Sequence, residues 1–401
     1  MNIGLVCPAS LPATQFGGIL FLAVDIARES TKLGNNAVIY TTNLDFANNA
    51  NTFNKDLPDV EEIEKFTVKR SNVWFNFHLF FVNPGMYFQL MRDSPDVIHT
   101  IGIRSFQSII AAIVAKKKGI PLIISDQGGL TTHPDLNQGS FLKRIFYKIQ
   151  KPIIQFIINN ATKISVANEY EKEIFKEFTY ESKIEIVRNG INQDSMISKT
   201  TNFKRKYNIE SSYILFVGRF SKVKGIDILL KAIRNLKNHD AVKNMIFVIM
   251  GVDFGFQKEM LRIIDEYGIN ERVLVIKNPS RDDVIAAYRE SEFLVLPSRW
   301  ELSPLTPLEG FSFKKPVISS DVHGIPYTLE KDRNCILIQA EDYNELAESI
   351  IELVIDEEKR IKLGVSGFNS VDSELNSKIM VKKTLKIYET VIQDYNTRKI
   401  K

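Results

Sequence analysis

Short apolar runs alternate along the chain with stretches whose apolar positions recur at helical spacing. The first run, Ile3-Gly4-Leu5-Val6, precedes a helical pattern over about 19–33, which Gly34 closes as the left-handed residue after the last turn. Strand signals follow at 37–41, 66–69, 96–99, 121–125, 164–167 and 184–187, with helical patterns between several of them. After Val187-Arg188-Asn189-Gly190-Ile191-Asn192, where Asn189-Gly190 makes a turn, the alternation restarts at 213–217, 245–250, 273–276, 293–296, 317–319 and 335–338. Past Glu341 the pattern is helical to the end. Strand alternating with helix predicts parallel sheets, and 401 residues are too many for one ordinary core.

Three stretches break the pattern. Residues 45–62 are polar and Asn-rich and read as a loop. The aromatic segment Val73-Trp74-Phe75-Asn76-Phe77-His78-Leu79-Phe80-Phe81 reads as core, with an apolar binding groove as the alternative. Residues 141–158 combine lysine, arginine and large apolar side chains with no acid. They suit a core helix with Lys143, Arg144, Lys148 and Lys151 on its wet side, or a helix lying on an anionic membrane. Pro152 is expected to kink or divide that helix.

Composition narrows the class. With 44% hydrophobic and 25% charged residues the chain is globular, and a net charge of +4 at this length does not call for nucleic acid. Cys7 and Cys335 lie in apolar runs and read as buried thiols of a reducing compartment. The N-terminus reads as a strand rather than a signal peptide, and no run is long and apolar enough to span a membrane. A cytoplasmic protein is expected, with peripheral attachment through 141–158 as the open alternative.

The candidate chemistry sits at strand ends. Arg299-Trp300-Glu301-Leu302-Ser303-Pro304-Leu305-Thr306-Pro307-Leu308-Glu309-Gly310 lies between the strand signals 293–296 and 317–319, where open α/β sheets bind ligands. Glu301 falls in the loop and Glu309 in the first helical turn. A plainer account makes Thr306-Pro307-Leu308-Glu309 a capping box and Glu301 a solvated acid. Upstream, Gly218-Arg219-Phe220-Ser221-Lys222-Val223-Lys224-Gly225 joins a strand to a helix and puts cations at a helix start. Gly17-Gly18 at the first helix start admits close approach of a phosphate to backbone N–H groups, or is a simple turn. Ser125-Asp126-Gln127-Gly128 leaves a strand end, and His99 closes another.

The pairing of G-R-x4-K-G with a later E-x7-E resembles the donor site of retaining glycosyltransferases of the GT-B fold, family 4, and the order of elements resembles them over nearly the whole chain. The resemblance implies two Rossmann-like, doubly wound parallel-sheet domains facing a cleft: 1–188 on the acceptor side, 189–375 binding the nucleotide sugar, and 376–401 crossing back to the first. It implies a metal-independent hexosyltransferase with no cofactor, its UDP- or GDP-linked donor being a substrate. Arg219 and Lys224 would neutralise the diphosphate, Glu301 would hold the transferred sugar, and Glu309 the ribose. Gly17 and Gly18, with backbone groups near Ser303, Leu305 and Thr306, would complete the donor pocket. The base would lie against Lys277-Asn278-Pro279-Ser280-Arg281.

On the acceptor side His99, Gln127 and His133 are the candidates, with a glycan, a lipid-linked sugar or a small polyol as the acceptor. Departures from the family pattern are Gln127-Gly128 where His-Gly is common, Leu302-Ser303-Pro304 where glycines are common, and Tyr327 where an acid is common. The rival readings are a GT-B sugar-nucleotide epimerase and a non-catalytic two-domain sugar-binding protein.

Overall fold

A computed structural model describes residues 1–46, 52–77, 79–128, 130, 141–197, 199 and 202–400, without the side chains of 141–148 and 398–400. The chain forms two compact units, one of Met1–Asn189 with the segment from Ser377 onward, the other of Gly190–Asn376.

The first unit holds β1 (Asn2–Val6), β2 (Asn36–Thr42), β3 (Val60–Ile63), β4 (Phe66–Ser71), β5 (Phe75–Phe77), β6 (Phe80–Val82), β7 (Val97–Ile101), β8 (Leu122–Ser125), β9 (Lys163–Val166) and β10 (Ile184–Ile186). Eight strands make one sheet in the order β10-β9-β8-β7-β1-β2-β4-β3, parallel except where β3 meets β4. Every residue of β7 is buried, as a strand covered on both faces must be. Its two polar side chains are satisfied internally: Thr100 Oγ1 lies 2.7 Å from Ser108 Oγ, and His99 Nδ1 lies 2.6 Å from the Tyr388 hydroxyl. Tyr388 belongs to the final helix Ser377–Ile400, which packs on the helix Gly18–Lys32 of this unit.

Three local expectations need correction. The region 45–62 contains β3, which pairs antiparallel with β4 and covers its edge. The segment 73–81 is not core throughout: β5 and β6 form a separate hairpin on which Trp74, Phe75, Phe77 and Leu79 are exposed, while Phe81 is buried. Pro152 does not divide its helix, which runs unbroken over Phe141–Asn160. Proline removes one backbone hydrogen bond, but the burial of Ile154, Ile157 and Ile158 holds the helix against the sheet.

The second unit holds β11 (Ser212–Val217), β12 (Met245–Gly251), β13 (Val273–Lys277), β14 (Leu294–Leu296), β15 (Val317–Ser320) and β16 (Cys335–Ile338). They form one fully parallel sheet, β13-β12-β11-β14-β15-β16. The chain winds outward from β11 one way, then returns at β14 and winds the other way. The order therefore reverses between β11 and β14, and the carboxyl ends of those two strands flank the crevice where doubly wound sheets bind ligands. Cys7 and Cys335 are both buried and free, and burial pushes each thiol up to about 12. Among the described residues no helix is long and apolar enough to cross a membrane.

Candidate active site

The crevice is built by backbone passing close to backbone. Past β11, Gly218 N–H and Phe220 N–H bond to the Met250 and Val252 carbonyls, so the chain keeps beside β12 before turning away. It then makes one tight turn, Lys222–Lys224, and Gly225 takes φ +66°. A Cβ on Gly225 would stand 1.8 Å from the Pro297 carbonyl oxygen, so glycine is required by both conformation and space. That approach seats the loop after β11 against the end of β14.

Arg299 braces the same junction. Its guanidinium donates to both Asp227 carboxylate oxygens at 2.7 and 2.8 Å and to the Lys222 carbonyl at 2.6 Å, and its N–H bonds to the Val223 carbonyl at 2.8 Å. The outer edge of the guanidinium pairs with Glu341. Sequence reasoning gave Arg299 no role, because nothing near it in the chain hints at a partner 72 residues away.

Within this frame Lys224 Nζ pairs directly with Glu301 Oε1, which also accepts from Ser298 Oγ at 2.9 Å. Both side chains are largely withdrawn from solvent, Lys224 at 18% and Glu301 at 8% exposure. Glu301 is therefore not a solvated loop acid, and its backbone carbonyl is tied to Gly324 N–H at 3.0 Å.

Glu309 forms a second ionic group: Oε1 accepts from Arg281 at 2.6 Å and Oε2 from the Tyr288 hydroxyl at 2.8 Å. The helix carrying it is Leu305–Phe311 with Pro304, not Thr306, at the N-cap, and no side chain caps it. The capping-box account of Glu309 thus fails, since its carboxylate turns to side chains of another helix. Arg281 and Tyr288 are seven positions apart on the helix Arg281–Glu290, so two turns bring both onto one face. That spacing was visible in the sequence; the shared target was not.

Arg219 is exposed, its guanidinium 4.9 Å from the centroid of the Phe254 ring. Ser303, Leu305 and Thr306 are half-buried around the start of the Glu309 helix. A hollow of the second unit, about 630 Å³, involves Ser212, Met245 and Phe293 at the opposite ends of the strands and plays no part here.

In the first unit the strand order reverses between β1 and β7, and the loops after β1 and β8 issue from that same edge. Gly17 takes φ +102° and nothing lies within 4 Å of where its Cβ would be, while Gly18 opens the helix Gly18–Lys32. Gln127 takes φ +58° and its amide pairs twice with Asn189, at 3.1 and 2.8 Å. Below it Glu171 is buried; burial, reinforced by the nearby Asp126 carboxylate, pushes it up to about 8 against the pull of the Ala167 and Gln127 N–H groups.

His99 is corrected outright. It is 1% exposed, bonded to Tyr388 and, through Nε2, to Ser125 Oγ at 2.8 Å, and burial pushes it down to about 3. It is a core histidine that ties the last helix to the sheet, not an accessible acid or base. His133 lies outside the described residues. Among the described residues, no group of three or more His, Cys, Asp or Glu side chains is placed to hold a metal ion.

Known proteins resemble the chain along both units. Residues 199–369 match the family Glycosyl transferases group 1, and residues 16–195 match Glycosyltransferase Family 4. An uncharacterized glycosyltransferase of Methanocaldococcus jannaschii is 27% identical over 261 residues, 65% of this chain and 66% of that protein. A D-inositol 3-phosphate glycosyltransferase of Corynebacterium jeikeium is 27% identical over 37% of this chain and 36% of its own length. The chain thus spans less than two thirds of the curated relatives it matches. Among solved structures, Anabaena HepE in complex with UDP-glucose superposes with a TM-score of 0.73 at 15% identity, over 97% of this chain and 100% of that one. The architecture is GT-B, and with both matches together taking in most of its length the chain belongs to the group 1, family 4 glycosyltransferases.

Proposed function

We infer that the protein transfers a hexose from a nucleoside-diphosphate sugar to a hydroxyl of a glycan or glycolipid, with retention of configuration and without a metal. One observation carries this reading. The two strand ends that flank the reversal point of the second sheet deliver one ionic group, Lys224 with Glu301, and a second pairs Glu309, on the helix after β14, with Arg281, on the helix after β13.

Each group suits one part of a nucleotide sugar. Lys224 and the exposed Arg219 offer fixed cations to a diphosphate whose negative charge grows as the sugar departs, which stabilises the transition state more than the bound donor. Glu301 spends Oε1 on Lys224 and Ser298, so Oε2 faces hydroxyls of the sugar. Glu309 is oriented by Arg281 and Tyr288, and each of its oxygens keeps a lone pair for a ribose hydroxyl. In the reaction the bond from the anomeric carbon to phosphate oxygen breaks, its electron pair leaving with the nucleoside diphosphate. The acceptor oxygen bonds that carbon on the same face, and its proton passes to the departing phosphate.

Peripheral membrane contact belongs to the same reading: on the helix Phe141–Asn160, Ile149 is 60% exposed and Lys151 is exposed as well. Transfer is tested by incubating the protein with radiolabelled UDP- and GDP-sugars and a membrane extract, with and without EDTA. Label is expected to move from at least one donor in both conditions. A protein that binds these donors but neither transfers nor hydrolyses them would be a binding module, and the reading would fail.

A further inference from the structure

The exposed hairpin of the first unit borders a pocket that the donor chemistry does not use. It has a volume of about 320 Å³ and its lining includes Asp59, Arg70, Asn72, Trp74, Phe88 and Gln89. Two aromatic side chains of this lining are turned to water, Trp74 at 76% and Phe88 at 71% exposure. Large rings left in solvent together mark a contact surface more often than a packing failure.

The polar lining says what kind of contact. Arg70 is the one cation among the lining residues, and it is spent: it is 2% exposed and donates to the Pro58 and Leu11 carbonyls at 2.9 Å each and to Glu61 at 2.7 Å. Hence no uncommitted positive charge is offered to a phosphate or an anionic surface. The Asn72 amide and the Asp59 carboxylate are exposed and have no side-chain hydrogen-bond partner among the described residues. Gln89 donates to the Arg70 carbonyl at 2.8 Å and its Oε1 is buried, so its amide is turned away from the opening. Aromatic faces beside one neutral amide and one carboxylate match a pyranose, whose C–H face is apolar while its rim is a ring of hydroxyls.

Placement ties this pocket to the acceptor side. It opens at Ser71, the last residue of β4, and β4 is parallel to β2, which is parallel to β1. The pocket therefore lies at the sheet edge that also bears the Gly17 and Gln127 loops, with β4 two strands or about 10 Å from β1. A ligand that reaches both places must be extended.

We propose that this pocket is a carbohydrate subsite that stacks a distal pyranose of the acceptor on Trp74 and Phe88, so that the acceptor is an oligosaccharide rather than a small polyol. The binding itself needs no donor; only its role in choosing an acceptor rests on the transferase reading.

The test titrates the whole protein, donor-free, with maltotetraose, cellotetraose, mannotetraose and chitotetraose and with the matching monosaccharides. Calorimetry and tryptophan emission are recorded together. The chain has two tryptophans, and Trp300 is 8% exposed, so a change in emission that is lost in Trp74→Ala reports on Trp74. At least one tetrasaccharide is expected to bind saturably and more tightly than its monosaccharide. Trp74→Ala and Phe88→Ala, both at exposed positions, are each expected to weaken it about tenfold. Three results would overturn the proposal: no tetrasaccharide binds, both variants bind as tightly as the parent, or Trp74 emission responds to phosphatidylglycerol vesicles and to no sugar. Donor cleavage, assayed separately, fails or succeeds independently of this binding.

Discussion

The two sheets reverse their strand order in the same manner, yet they carry opposite chemistry at the reversal. In the second unit that edge is crowded with ion pairs: Lys224 with Glu301, Arg281 with Glu309, Arg299 with Asp227. In the first unit the corresponding edge offers glycines, the neutral amide pair of Gln127 and Asn189 and one guanidinium, Arg104, held by the Gln150 side chain and the Leu130 carbonyl, with the acids Asp126 and Glu171 sunk beneath it. A shared topology supplies a place to bind, and the side chains decide what binds there. Fixed charges suit a diphosphate; neutral groups suit an acceptor whose only handles are hydroxyls.

The largest effect tests the charged side. Lys224→Ala is expected to lower transfer by about two to three orders of magnitude, the scale for removing a group that meets developing charge. The fold should survive, because Ser298 still satisfies Glu301 and Gly225 still seats the loop on β14. Initial rates with labelled donor decide it, beside circular dichroism to confirm folding. A variant with near-normal turnover would remove the contrast between the two sheets.

Next in size are two glycines. Gly225→Ala must displace the Pro297 carbonyl and adopt positive φ, so a loss of more than about 2 kcal/mol is expected. Gly17→Ala meets open space and carries only the conformational cost of φ +102°, ψ −157°, a region nearly confined to glycine, about 2 kcal/mol. Urea midpoints compare them. Equal losses would mean that the backbone contact between the two strand ends is not what demands glycine in the second unit.

These positions also show how far the sequence could be read. The first run and the twelve strand signals from 37–41 through 335–338 all correspond to strands of the two sheets, because buried parallel strands are continuous apolar runs between helices. Glu301, Glu309 and Lys224 stood out because G-R-x4-K-G and E-x7-E occur together, each alone having a plainer account. Arg299 and Tyr288 did not, since their roles depend on partners distant in sequence. The aromatic segment at 73–81 misled for the opposite reason: apolarity alone does not distinguish a ring that is buried from one that waits for a ligand. His99 misled likewise, because a histidine closing a strand looks the same whether it faces solvent or, as here, a tyrosine of the last helix.

A pH titration of stability probes the buried acid under the neutral edge. Glu171 holds its proton in the folded protein up to about 8, against 4.5 when unfolded. Between those values the native state binds more protons, so its contribution is complete below pH 4.5 and is lost as pH rises towards 8. His99 acts in the other direction: it stays neutral down to about 3 against 6.5, so stability is lost as pH falls through that interval. Glu171→Gln should flatten the alkaline limb alone, as read from urea midpoints between pH 5 and 8. An unchanged limb would show that Glu171 ionises freely and that the neutral edge is not backed by a protonated acid.

The smallest expected effect sits on that same edge. Gln127 makes two amide hydrogen bonds to Asn189, and Gln127→Ala removes both from an Asn189 amide that is itself buried. A loss of about 1–2 kcal/mol in urea unfolding is the expectation, that of a half-buried neutral pair. Donor consumption should change by less than about threefold, since no ionic group is touched and the proton of the acceptor is assigned to the leaving phosphate rather than to this residue. Any change should fall on the acceptor KM, because Gln127 stands at the edge proposed to hold hydroxyls. If Gln127→Ala instead lowered turnover as far as Lys224→Ala does, a polar group of the first unit would be acting on the reacting atoms. The division of labour between a charged and a neutral sheet edge would then have to be abandoned.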